Sequence, residues 1–134
     1  MALLRTDKLS VASDGDVVAV RQRVRAMAVE CGFSLVDQTK IVTAASELAR
    51  NTVVHGGGGT VQMDLLIEGA RRGVRLTFRD HGPGIADIQA AMRDGFTTGG
   101  GLGLGLGGAR RLSNEFDIQS TPGEGTVVRI TRWR

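Results

Sequence analysis

The stretch Gly99-Gly100-Gly101-Leu102-Gly103-Leu104-Gly105-Leu106-Gly107-Gly108 holds seven of the chain's 20 glycines within ten residues. Glycine in such excess, with no three-residue repeat, marks backbone that needs positive φ or must approach a ligand closely. The stretch runs into Ala109-Arg110-Arg111, which reads as helix. Alternating glycines beside a helix start expose backbone N–H groups and a positive dipole end, an arrangement suited to phosphate oxygens. Two familiar phosphate loops do not fit. The chain has no G-x-x-x-x-G-K-[ST], and a G-x-G-x-x-G here would follow a loop where the dinucleotide-binding turn requires a strand. The H-R-D and D-F-G motifs of eukaryotic-type kinases are absent as well.

Working outward, residues 116–120 and 126–133 read as strands joined by the turn Pro122-Gly123-Glu124-Gly125. Upstream, a short helix-like piece at 85–92 follows Asp80-His81-Gly82-Pro83-Gly84. Before it, alternating segments at 60–68 and 73–79, joined at 69–73, form two antiparallel strands. The buried stripe Ile41, Ala44, Ala45, Leu48, Ala49 and Thr52 defines a helix that Ser34-Leu35-Val36-Asp37 opens in the manner of a capping box and Gly56-Gly57-Gly58-Gly59 stops. An earlier helix starts at Ser13-Asp14-Gly15-Asp16, carries the apolar pattern Val17, Val18, Val20, Val24, Met27 and Ala28 and ends at Gly32; Leu9 and Val11 mark a strand ahead of it. The order β-α-α-β-β-α-α-β-β predicts an α/β two-layer sandwich. Its mixed, largely antiparallel sheet is covered by helices on one face, in one domain over residues 1–134.

Three further elements bear chemistry. Glu47 and Asn51 lie four residues apart and share a helix face, with Leu48 and Thr52 expected to point elsewhere. A carboxylate beside an amide oxygen can hold a hydrated magnesium ion through the amide and leave the carboxylate to accept a proton; such a pair is equally an ordinary solvated face. His55 continues that face at a helix C-terminus, where the dipole favours histidine in any case. Asp80 ends a strand before a tight glycine turn, and its carboxylate can accept from an exocyclic amine such as that of adenine, or simply stabilise the turn. Gly123-Glu124-Gly125-Thr126 reads as a hairpin turn whose place in the order gives it weight.

Composition bounds the rest. A hydrophobic share of 41% and a charged share of 23% describe a globular chain, and no run is long enough to cross a bilayer or serve as a signal peptide, so a cytoplasmic address and no membrane partner are expected. The net charge of +3 is small, tyrosine is absent and aromatics make up 4%, which argues against nucleic-acid binding. The single cysteine, Cys31, reads as a buried small hydrophobe.

Taken in order, Glu47-x-x-x-Asn51, Asp80-x-Gly82-x-Gly84, Gly101-x-Gly103-Leu104-Gly105-Leu106 and Gly123-x-Gly125-Thr126 resemble the N, G1, G2 and G3 boxes of the gyrase/Hsp90/histidine-kinase/MutL (GHKL) ATPases, whose ATP-binding domain is the Bergerat fold. The flanking text, Val36-Asp37-Gln38-Thr39, Ser46-Glu47-Leu48-Ala49-Arg50-Asn51, Asp94-Gly95-Phe96-Thr97-Thr98 and Arg111-Leu112-Ser113-Asn114-Glu115-Phe116, is similar to the RsbT-type serine/threonine switch kinases of bacterial stressosomes. That resemblance implies phosphorylation of a STAS-domain antagonist and co-antagonist with ATP and Mg2+, followed by activation of a PP2C-type phosphatase. An anti-sigma-factor kinase and a nucleotide-gated binding module without phosphotransfer are the alternatives. Position by position, the resemblance implies Asn51 as the magnesium ligand, Glu47 as general base and Asp80 as the adenine reader, with Gly82 and Gly84 shaping the pocket. It further implies that Thr98, Gly99, Gly100, Gly101, Leu102, Gly103, Leu104, Gly105 and Thr126 contact the nucleotide. The glycine stretch aligns in two registers, from Gly99 or from Gly101, and Gly107 stands where relatives often have proline.

Overall fold

The computed structural model describes residues 1–93 and 105–134. The elements follow the expected order: β1 (Ala2–Val11), α1 (Asp14–Cys31), α2 (Leu35–Val54), β2 (Gly59–Glu68), β3 (Arg71–Asp80), α3 (Ile88–Ala91), α4 (Gly105–Arg111), β4 (Glu115–Thr121) and β5 (Gly125–Trp133). The strands form one sheet in the order β1-β2-β3-β5-β4. Every neighbouring pair is antiparallel, so the mixed character expected of the sheet does not occur among the described strands. Chain direction explains this: two helices return the chain between β1 and β2, and tight hairpins join β2 to β3 and β4 to β5.

Alternation along the strands sends one set of side chains to the helices. Val61, Met63 and Leu65 of β2, Val74, Leu76 and Phe78 of β3, and Val128 and Ile130 of β5 are buried with Val20, Val24 and Met27 of α1 and Ile41, Ala45 and Leu48 of α2 in a continuous core. The alternate set lies on the opposite face and is tied across strands, as where Arg129 Nε donates to Thr77 Oγ1 at 3.3 Å and Thr6 Oγ1 to Asp64 Oδ1 at 2.7 Å. Cys31 is buried in the core, and that burial pushes its thiol pKa up.

Local chemistry sets the helix ends. Ser13 accepts from the Asp16 N–H, and Gly32 closes α1 in the left-handed region at φ 85°. Ser34 accepts from the Asp37 N–H at 3.2 Å, which is half of the expected capping box. The reciprocal half is missing because the Asp37 carboxylate turns to Arg132, accepting from Nη2 at 2.7 Å. Two elements depart from their expected spans. Strand β1 begins at Ala2 and not near Lys8, since an edge strand with an exposed first half leaves little alternation to read. The piece at 85–92 contracts to Ile88–Ala91, where the Asp87 side chain caps the Ala90 N–H.

The Arg132 hydrogen bond holds the Asp37 carboxyl below the usual carboxylate range, with Lys40 a smaller contributor. A depressed folded-state pKa contributes stability that is complete above the unfolded pKa and is lost as pH falls through the folded one. Asp37→Asn should therefore lower the thermal midpoint at neutral pH. The difference from wild type should close only in strong acid, below the usual carboxylate range; a difference that persists there in calorimetric scans would contradict the assignment.

Candidate functional site

The C-terminal ends of α2 and β3 and the start of β5 meet at one end of the sheet, where they enclose a cleft of about 340 Å³. Helix α2 lines it with Leu48, Asn51 and Thr52, and His55 caps that helix at the same wall; β3 adds Phe78 and Asp80, and β5 adds Thr126 and Val128. The segment 83–87, Ala90 and Ala91 of α3, and Leu106 of α4 complete the wall. The lining is largely apolar, with a few convergent polar groups, as small-molecule sites commonly are.

Asp80 sits where three backbones converge. Its carboxylate accepts from the Gly82 N–H at 2.9 Å, which aims the side chain back over its own turn. A Cβ on Gly56 would stand 2.4 Å from Asp80 Cγ, and one on Gly82 would stand 2.7 Å from Gly56 Cα. Gly125, at φ 102°, brings β5 so close that a Cβ would lie 2.2 Å from the Asp80 carbonyl oxygen. Each contact is far below van der Waals separation, so the Asp80 side chain occupies its present place only while Gly56, Gly82 and Gly125 lack side chains. The ladder pairs Asp80 with Thr126, which puts the second and fourth sequence boxes side by side.

The loop after Asp80 is fastened to the β4–β5 hairpin. Gly84, at φ 77°, would push a Cβ to 2.4 Å from the Thr121 carbonyl oxygen, and the Gly123 N–H donates to the Pro83 carbonyl at 2.7 Å. Ser120 Oγ accepts from the Ile85 N–H at 2.7 Å and lies 2.8 Å from Thr126 Oγ1. The turn after Asp80 and the Thr126 hydroxyl, both at the cleft, are thus held by one serine.

Of the residues singled out in the sequence, Asn51, Asp80, Gly84 and Thr126 line the cleft. Gly82 stands behind Asp80 as packing, and Gly105 opens α4 in the left-handed region at φ 55°. Glu47 lies one helical turn before Asn51, 4% exposed, and no hydrogen bond to its carboxylate is made among the described residues. Thr98, Gly99, Gly100, Gly101, Leu102, Gly103 and Leu104 lie outside the described residues. Leu48 and Thr52, expected to point away from Asn51, form the cleft wall on either side of it. The helix presents a strip about 100° wide to the cleft, and positions 48, 51, 52 and 55 all fall on it. Gly56 and Ser120 were not singled out: four consecutive glycines read simply as a helix stop, and a serine at a strand end gives no local signal.

A partly buried carboxylate, an amide and a hydroxyl in the wall of a largely apolar slot suit a flat ligand with a ring-bound donor and a polar tail. Residues 11–132 match the family model of the histidine kinase-like ATPase domain. Among characterised relatives, the serine/threonine-protein kinase RsbT of Bacillus subtilis is 44% identical over 123 residues, 92% of each chain. The anti-sigma F factor of a Thermoanaerobacter species is 32% identical over 84% of this chain and 82% of its own. Among solved structures, the RsbU and RsbW domains of Rv1364c from Mycobacterium tuberculosis superpose on 96% of this chain with a TM-score of 0.64 and 25% identity; the match spans 33% of that longer chain. The chain belongs to the histidine kinase-like ATPase family. Within that family of ATP-using proteins it is a serine/threonine-protein kinase of the RsbT type.

The packing around Asp80 generates a test. Gly56→Ala should displace the carboxylate and weaken ATP binding about as much as Asp80→Asn, by ~1.5–3 kcal/mol or about 10- to 150-fold, the range for a hydrogen bond to a charged group. Calorimetric titration of both folded variants checks this. Wild-type affinity in Gly56→Ala would show that ATP does not depend on the position of Asp80.

Proposed function

We propose that the chain transfers the γ-phosphoryl group of ATP to a serine or threonine of STAS-domain antagonist and co-antagonist proteins in a cytoplasmic partner switch, and that the released kinase then engages a PP2C-type phosphatase. The observation that supports this best is the convergence of Asn51, Asp80 and Thr126, from three separate elements, on one cleft with Glu47 a single turn behind. The 44% identity to the kinase RsbT supports the partner class over that of the anti-sigma relatives, at 32%.

In this reading the adenine ring lies in the slot between Phe78, Ile85, Leu106 and Val128, and its amino group donates to Asp80. The phosphates run toward Asn51, whose amide oxygen is one ligand for Mg2+. Among the described residues no group of three or more His, Cys, Asp or Glu side chains is placed to hold a metal unaided. That fits an ion that arrives with the nucleotide and keeps water and phosphate oxygens in its shell. When bound, Mg2+ neutralises charge on the phosphates during transfer.

Glu47 is the group left for the proton. As the substrate hydroxyl oxygen bonds to the γ-phosphorus and the bond to the ADP oxygen breaks, the hydroxyl proton passes to the Glu47 carboxylate. Burial of Glu47 keeps competing water away from it, and the α2 backbone fixes its distance from Asn51.

Single-turnover phosphorylation of a STAS partner by Glu47→Gln tests the reading. Transfer should slow about 10²–10⁴-fold while ATP affinity and partner binding change little. Wild-type transfer in the variant would remove Glu47 from the chemistry. If the unmodified chain bound ATP and a STAS partner without transferring phosphate, a nucleotide-gated binding module would replace the kinase reading; capture of a sigma factor would favour the anti-sigma one.

A further inference from the structure

Helix α4 is a poor helix by its sequence. Three of its seven residues are glycine (Gly105, Gly107 and Gly108), yet residues 105–109 are all buried and Leu106 forms part of the cleft wall. Glycine lowers helix propensity more than any residue except proline, so contacts from outside must hold this segment helical. Two such contacts lie at its C-terminal end. Ser113 Oγ donates to the Ala109 carbonyl at 2.7 Å, and Arg132 Nη1 donates to the Leu112 carbonyl at 2.9 Å.

The same guanidinium donates through Nη2 to Asp37 in the first turn of α2 at 2.7 Å. Arg132 is largely buried, with a side-chain exposure of 13%, and its Nε is buried without a hydrogen-bond partner. A half-buried ion pair that leaves a buried donor unpaired is a weak way to gain stability, because desolvation opposes much of the attraction. It is an effective way to fix geometry, since a planar guanidinium donates only along set directions.

We propose that Arg132 is a positioning residue for the nucleotide cleft, holding the glycine-rich helix α4 at a set place against α2 by bridging the Leu112 carbonyl and the Asp37 carboxylate. All three bridged elements contribute to the cleft: α2 through Asn51, α4 through Leu106, and β5, which bears Arg132, through Thr126 and Val128. None of the three anchoring groups lines the cleft, so the bridge acts through the placement of Leu106. The proposal rests on the cleft being the ATP site.

The test compares Arg132→Met, Arg132→Lys and Ser13→Ala with wild type in the full chain. Ser13→Ala removes the cap of α1, remote from the bridge, and serves as a control for lost stability alone. Arg132→Met should speed amide exchange in residues 106–112 at least tenfold, leave exchange in α1 and β2 unchanged, and weaken magnesium-ATP binding at least tenfold. Arg132→Lys, able to keep one of the two bonds, should recover part of both effects, whereas Ser13→Ala should alter neither despite a lower thermal midpoint. Unchanged exchange in 106–112 with wild-type ATP affinity would overturn the proposal, as would an equal loss of affinity in Ser13→Ala. Should Arg132→Met fail to fold, the same readings on Arg132→Lys decide. Failure of the wild type to bind ATP would instead remove the nucleotide reading of the cleft, while exchange in α4 would still decide whether Arg132 positions it.

Discussion

The approach of three glycine backbones to Asp80 is the constraint on which the rest of the site depends. Gly56 ends the helical hairpin, Gly82 turns the chain after β3, and Gly125 starts β5; each comes closer to Asp80 or to another of these glycines than a side chain would allow. The Gly82 and Gly125 contacts are to backbone, which rotamer changes cannot relieve, while the Gly56 contact is to the Asp80 side chain itself, which a substitution would push aside. The carboxylate is thereby aimed by the fold itself and not by a network of polar partners, with the Gly82 N–H as its one hydrogen bond among the described residues. The ladder partner of Asp80, Thr126, is fixed by the same close approach of β5.

That constraint also separates two kinds of work within one cleft. In the proposed function, recognition is assigned to β3, β5 and the 83–87 segment, which are clamped together through Ser120, the Pro83 carbonyl and the hairpin turn. Chemistry in that proposal is assigned to α2, where Glu47 and Asn51 stand one turn apart on a helix buried along Ile41, Ala44, Ala45, Leu48 and Ala49. A rigid helix packed on a rigid sheet is a good support for groups that must meet a phosphate within fractions of an ångström. Helix α4 is the exception, since its own sequence does not favour a helix and its place depends on Arg132 and Ser113.

What the sequence made legible follows from how local each cause is. The stripe of α2, the serine caps and the αL glycine at Gly32 are set by neighbours a few residues away, and the structure shows them where the pattern put them. Of the residues in the ordered boxes, Asn51, Asp80, Gly84 and Thr126 line one cleft. The signals that failed are those whose causes lie far along the chain. The Asp37 side chain abandons the capping box for Arg132, 95 residues away, and nothing in Ser34-Leu35-Val36-Asp37 announces it. Gly56 was hidden in a run of four glycines, though only it touches the Asp80 side chain. Leu48 and Thr52 are buried as the stripe implied, yet they also line the cleft beside Asn51, which a hydrophobic pattern does not distinguish from core packing. The exposed first half of β1 gave no alternation to read, so its start fell several residues late.

If Asp80 is held by the fold as an acceptor for a base amino group, the protein must tell adenine from guanine. Guanine offers a carbonyl oxygen where adenine offers the amino donor, so a GTP complex would set an acceptor against a carboxylate and leave both unpaired. Parallel titrations of the wild-type chain with ATP and GTP, in the same buffer and at the same magnesium concentration, read this without any mutation. The account predicts that GTP binds at least about tenfold more weakly than ATP, the cost of losing one hydrogen bond to a charged group. Equal affinities for the two nucleotides would contradict it.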